Sequence, residues 1–100
     1  MRVQQQGQSL RLRIDEAELT ALLAGNMVDN QTRWPDGHVE QQQLVLAAQC
    51  GWQRTADGWR VALTDTAIRE IVARLPSRDG LQVDLALPDC VALHVLFDVD

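Results

Sequence analysis

The chain has no lysine and no tyrosine, two cysteines, three prolines, four aromatic residues and no long apolar run. Each shortage excludes something. With Cys50 and Cys90 far apart, there is no C-x-x-C and no zinc-ligand spacing. The two thiols read as reduced cysteines of a cytosolic protein. No stretch approaches the ~20 apolar residues of a membrane span. The opening MRVQQQGQSLRLR has no apolar segment of the kind a secretion signal needs. A cytoplasmic location is therefore expected. No glycine-rich phosphate loop, dinucleotide fingerprint or nucleophile elbow is present. No cofactor is expected.

All nine positive residues are arginine, set against 14 acids, and the net charge is −5. An acidic chain is poorly suited to nucleic acid, where affinity rests on neutralising phosphates. It is equally poorly suited to an anionic membrane surface. The exclusive use of arginine fits a coding bias, or a need for forked anion contacts.

What is present is a pattern that recurs. Shifted by 49 positions, Leu10 falls on Trp59, Leu12 on Val61, Ile14 on Leu63, Leu19 on Ile68, Leu22 on Ile71 and Leu44 on Leu93. Val3 falls on Trp52, which places Trp52 in the core. Period-two alternation makes 9–14 a half-buried strand. Asp15 can cap a helix over 15–24, with Leu19, Leu22 and Leu23 as its stripe and Gly25-Asn26 as its stop. Pro35-Asp36-Gly37 is a turn between strands at 27–34 and 38–48.

The second half repeats the plan. Strands fall at 50–54 and 59–63 about a turn at Thr55–Gly58. Thr64 caps a helix that Pro76 ends. A strand follows Asp79-Gly80, and a last one, apolar at nearly every position, covers 91–97. Each half thus reads strand, strand, helix, strand, strand. The fold expected is a single α+β domain over 1–100, with pseudo-repeat halves 1–49 and 50–100. Eight mainly antiparallel strands would form a strongly curled, barrel-like sheet with two helices, because closure removes exposed strand edges. A split ferredoxin-like sheet is the alternative.

The segments Met1-Arg2-Val3, Gly7-Gln8-Ser9-Leu10-Arg11-Leu12-Arg13-Ile14 and Glu16-Ala17-Glu18-Leu19 resemble the start of a family of small bacterial proteins of unknown function. The likeness continues through Val28–Trp34. It departs at Gln8, where that family often has Asn, and at the ending Phe97-Asp98-Val99-Asp100. The resemblance implies a shared fold and no activity.

Two functional readings follow. The first is a non-enzymatic protein-interaction module acting as a homodimer. The last strand (Val91, Leu93, Val95, Phe97) and Trp34 would form its interface, the strand pairing across a two-fold axis. The second is an anion- or nucleotide-binding barrel in which Arg11, Arg13 and Arg60 converge. Triphosphate-tunnel enzymes share that overall plan, but this chain carries Gln4 and Gln6 where they have metal-binding glutamates. His38 and His94 are isolated and read as surface or hydrogen-bonded residues. Ser9 and Ser77 have no neighbouring base, and no catalytic residue or metal ligand is assigned.

Overall fold

The computed structural model describes residues 1–74, 80–88 and 92–100. Pro76, Ser77, Asp79, Cys90 and Val91, on which parts of the reading above fall, lie outside the described residues. Ten elements follow one another: β1 (Arg2–Gln6), β2 (Ser9–Ile14), α1 (Glu16–Leu23), β3 (Val28–Arg33), β4 (Val39–Leu46), β5 (Gly51–Arg54), β6 (Gly58–Leu63), α2 (Asp65–Ala73), β7 (Leu81–Ala86) and β8 (Ala92–Val99). This is the α+β order read from the sequence, one strand-strand-helix-strand-strand unit after another.

Both helices start where side chains satisfy free amides. Asp15 accepts from Glu18 N at 2.7 Å, and Glu18 answers by accepting from Asp15 N at 3.1 Å, a reciprocal capping box. At the matching place in the second half, Thr64 Oγ1 accepts from Ala67 N at 3.1 Å. Glu16 and Asp65 then sit in the positive end of each helix dipole.

The strands form two four-stranded sheets, ordered β1-β2-β8-β7 and β3-β4-β6-β5. The expected barrel does not form. β1, β3, β5 and β7 each have a strand neighbour on one side only among the described residues, so both sheets are open. Within each sheet the outer pairs are antiparallel hairpins. The central pairs, β2 with β8 and β4 with β6, are parallel. Each sheet therefore takes its first hairpin from one half and its second hairpin from the other. The halves are interleaved, and a pseudo-two-fold axis relates the sheets.

The registers define the repeat. Leu12 sits beside Phe97 in one sheet, and Val61 beside Leu44 in the other. Val61 follows Leu12 by 49 positions, but Phe97 follows Leu44 by 53. The equivalent of Leu44 is thus Phe97 and not Leu93. Four additional residues separate the start of α2 from the start of β7, counted against the α1–β3 segment. Backbone hydrogen bonds obey the same correspondence: His94 N donates to Gln8 O at 2.7 Å, and Gln41 N to Asp57 O at 2.9 Å.

The pleat sends Leu10, Leu12 and Ile14 of β2, and Trp59, Val61 and Leu63 of β6, to the same side as the helices. There they are buried with Leu19, Leu22, Ile68, Ile71, Val28, Leu44, Val95 and Phe97 in one cluster. Burial of each large side chain stabilises by about 1.5–3 kcal/mol before entropy is counted. One place breaks the symmetry. Val83 faces Val95 across β7 and β8, whereas their equivalents are polar: Asn30 Nδ2 donates to Gln42 Oε1 at 2.7 Å. Gln42 and Gln43 are both buried, and among the described residues no buried side-chain nitrogen or oxygen lacks a partner.

Candidate functional site

The fold divides the sequence-derived sites. β8 is an interior strand, paired on both sides, so it offers no free edge. Val95 and Phe97 are 1% and 0% exposed and belong to the core, which removes them as interface residues. Leu93, further along the strand, is half-buried, and Val91 is outside the described residues. Trp34 stands out at 46% exposure, as its place beside the turn implies. Trp59 is buried as expected. Trp52 is not: it is 39% exposed, although its counterpart Val3 is half-buried.

The three arginines are also divided. Arg11 and Arg13 project from the outer face of the β1-β2-β8-β7 sheet, while Arg60 stands on the outer face of the other sheet. There its Nε donates to Gln43 Oε1 at 2.9 Å. Each sheet buries its opposite face, so Arg60 does not join the other two.

Two concavities lie beside the first strand of each half, one against β1, β2 and β3 and the other against β5, β7 and β8. They have opposite chemistry. The first, between β1 and β3, has a volume of about 320 Å³ and is lined by Met1, Arg2, Val3, Gln4, Arg11, Arg13 and Asn30. Arg2 lies directly opposite Arg13 in the hairpin, and Gln4 opposite Arg11. Facing like charges repel, and two carboxylates relieve this. Asp100 bridges Arg2 (3.1 Å) and Arg13 (3.4 Å), while Asp98 lies 3.7 Å from Arg11 and 3.5 Å from Arg13. The sequence reading missed Arg2. The turn at Gly7 carried the signal, because a hairpin closed there brings Arg2 opposite Arg13.

The second concavity, between β5 and β7, has a volume of about 400 Å³. Gly51, Trp52, Leu85, Ala86, Leu87 and Leu93 line it, with Gln8 and Asp84 at the rim. By the registers, Leu85, Leu87 and Leu93 occupy the places of Thr32, Trp34 and Glu40. An apolar set thus stands where the other half has mostly polar groups. Arg54 covers one side of Trp52, its guanidinium carbon 4.8 Å from the ring centre, a cation–π contact.

At the rim, His94 Nδ1 lies 2.8 Å from Asp84 Oδ1, directly across the β7–β8 pair. Hydrogen bonding to His94, and then to Gln82, holds the Asp84 carboxyl below its ordinary value. A depressed carboxylate adds stability above the unfolded-state value and loses it as pH falls through the folded one. We expect His94→Gln to raise the Asp84 midpoint toward the ordinary carboxylate range in an NMR pH titration. An unmoved midpoint would contradict the assigned cause.

Among the described residues, no group of three or more His, Cys, Asp or Glu side chains could hold a metal, and no helix is long and apolar enough to cross a membrane. Cys50 is a half-buried free thiol. The chain matches no protein-family model, and no curated protein is significantly similar to it.

Proposed function

We propose that this chain is an interaction module, not an enzyme, and that its partner is a second copy of itself. The observation that carries this reading is the apolar groove beside β7. Trp52 and Leu87 are 39% and 37% exposed there, with Leu85 and Leu93 between them. An exposed tryptophan in an apolar hollow suits the anchor of a buried interface.

The groove runs along an edge strand with little to guard it. Edge strands avoid pairing with other chains by carrying charge. β1 carries Arg2, β3 carries Asp29 and Arg33, and β5 carries Arg54. β7, like β1 and β5, carries a single charge, but it is an acid, Asp84, engaged by His94 and Gln82, and not the arginine those two edges present. An antiparallel two-fold centred on Val83 sets Asp84 opposite Gln82 of the second copy and Leu81 opposite Leu85. No like charges meet, and the apolar face continues across the axis. A strand added there lies in the groove and covers Trp52. The dimer so formed is isologous, the commonest closed assembly.

Light scattering coupled to size exclusion tests this. The expected mass is twice the 11.2 kDa of one chain. Leu87→Glu should return it to the monomer. Trp34→Glu, at the exposed residue that matches Leu87 in the other half, should leave the dimer intact. A single-chain mass at concentrations up to about 200 µM, where a micromolar complex would be populated, overturns the proposal. So does a dimer that Leu87→Glu does not weaken.

A further inference from the structure

The cationic hollow of the first half is a different surface on a different edge, and it has its own chemistry. Three guanidinium groups line it, and among the described residues two side-chain carboxylates, Asp98 and Asp100, pair with them. The pairing is also loose. Among the described residues, Arg11 and Arg13 meet Asp98 and Asp100 at 3.4–3.7 Å and complete no hydrogen bond. Arg2 spends one N–H on Asp100. Each guanidinium carries five donors in a fixed fork, so most of the donors in the hollow are unspent. Gln4, opposite Arg11, has its side chain on the same face, and its amide makes no hydrogen bond among the described residues.

We infer that this hollow binds a small phosphate-bearing anion, either free phosphate or the phosphoryl end of a small phosphomonoester, through Arg2, Arg11, Arg13 and Gln4. Phosphate is favoured over carboxylate by geometry. Two carboxylates are already present and leave donors over. A tetrahedral anion offers three or four acceptor oxygens, enough to meet arginines arriving from two adjacent strands. The volume of about 320 Å³ is at the small end of the range for ligand pockets and leaves room for an organic group against Met1 and Val3. Asp100 bridges Arg2 and Arg13, so it is the internal competitor, and the phosphate takes its place.

Isothermal titration with inorganic phosphate, glycerol phosphate and succinate at low ionic strength tests the site on the whole chain. Both phosphates should saturate with dissociation constants of about 1 mM or tighter. Arg13→Gln and Arg2→Gln should each weaken binding about tenfold or more. Arg69→Gln, the same charge change on α2, should leave it unchanged. Asp100→Asn should tighten binding several-fold by removing the competitor. That variant also keeps the test open if an arginine variant unfolds.

Tighter binding of glycerol phosphate than of phosphate supports the ester as the ligand. Equal binding supports free phosphate. The inference fails if neither phosphate saturates below about 10 mM. It also fails if succinate binds as well as phosphate, if Arg69→Gln costs as much as Arg13→Gln, or if Asp100→Asn gives no gain. These readouts are independent of the mass measurement, so the anion site and the dimer can fail separately.

Discussion

Replacing Gly58 with alanine should destabilise the protein by about 3 kcal/mol, although the change adds one methyl group. A Cβ at Gly58 falls against the Gln41 carbonyl oxygen, far inside van der Waals contact, with the Gln41 carbonyl carbon at 2.8 Å. Those atoms are backbone, and they are fixed on both sides. β4 is held between β3 and β6, and Gln41 N donates to Asp57 O at 2.9 Å. No rotamer change relieves the clash, so the parallel β4–β6 seam must open. Gly51 is the control. It lies on the neighbouring edge strand with no atom within 4 Å of an added Cβ. Gly51→Ala should stabilise by about 0.5 kcal/mol, because it restricts the unfolded chain and strains nothing. In thermal unfolding, Gly58→Ala should lower the midpoint by roughly 15 °C. Equal midpoints for the two variants would show that β4 and β6 do not meet as described.

Phe97→Ala should cost about 3–5 kcal/mol, a large part of the stability of a domain this size. Phe97 is 0% exposed in β8, between Leu12 on β2 and Leu81 on β7. It is the largest of the fully buried side chains, and the rigid strands around it cannot close over the space it leaves. Its pseudo-symmetric mate Leu44 is equally buried, between Val61 and Val28. Leu44→Ala should cost about 2–5 kcal/mol. Because the fourteen core residues among those described form one cluster, both variants should unfold in a single transition by denaturant titration. Two separated transitions would mean that the sheets unfold independently. A loss below about 1 kcal/mol for Phe97→Ala would remove that side chain from the core.

The helices, turns and most strands were legible in the sequence because their signals are local. Asp15 and Thr64 mark helix starts by their own hydrogen-bonding chemistry. The alternation through Leu10–Ile14 and Trp59–Leu63 specifies which face is buried. What was not legible was which strand lies beside which. The parallel pairing of β2 with β8 joins residues more than eighty positions apart and has no local mark. The run at 91–97 looks like a surface seeking a partner for the same reason. An interior strand and an interface strand are both apolar, and only the pairing distinguishes them. The repeat was seen, but a single shift of 49 misaligned its last hairpin, because the extra residues before β7 change the offset to 53. That error placed Leu93, and not Phe97, opposite Leu44. The arginine reading erred likewise. Arg11 and Arg60 are true equivalents, and two-fold equivalence puts them on different sheets.

The interleaving of the halves also makes them dependent on each other. A half-length chain could complete neither sheet alone, since each parallel seam needs a strand from both halves. Two identical copies of such a chain could complete both. The segment 47–50 then acts as a tether that turns an encounter between two molecules into an encounter within one. Within one chain, the two halves are free to differ. One edge is apolar around Trp52 and Leu85, and the other is cationic around Arg2 and Arg13. A single chain of this kind gives a symmetric scaffold two unlike surfaces, which an assembly of identical subunits cannot have.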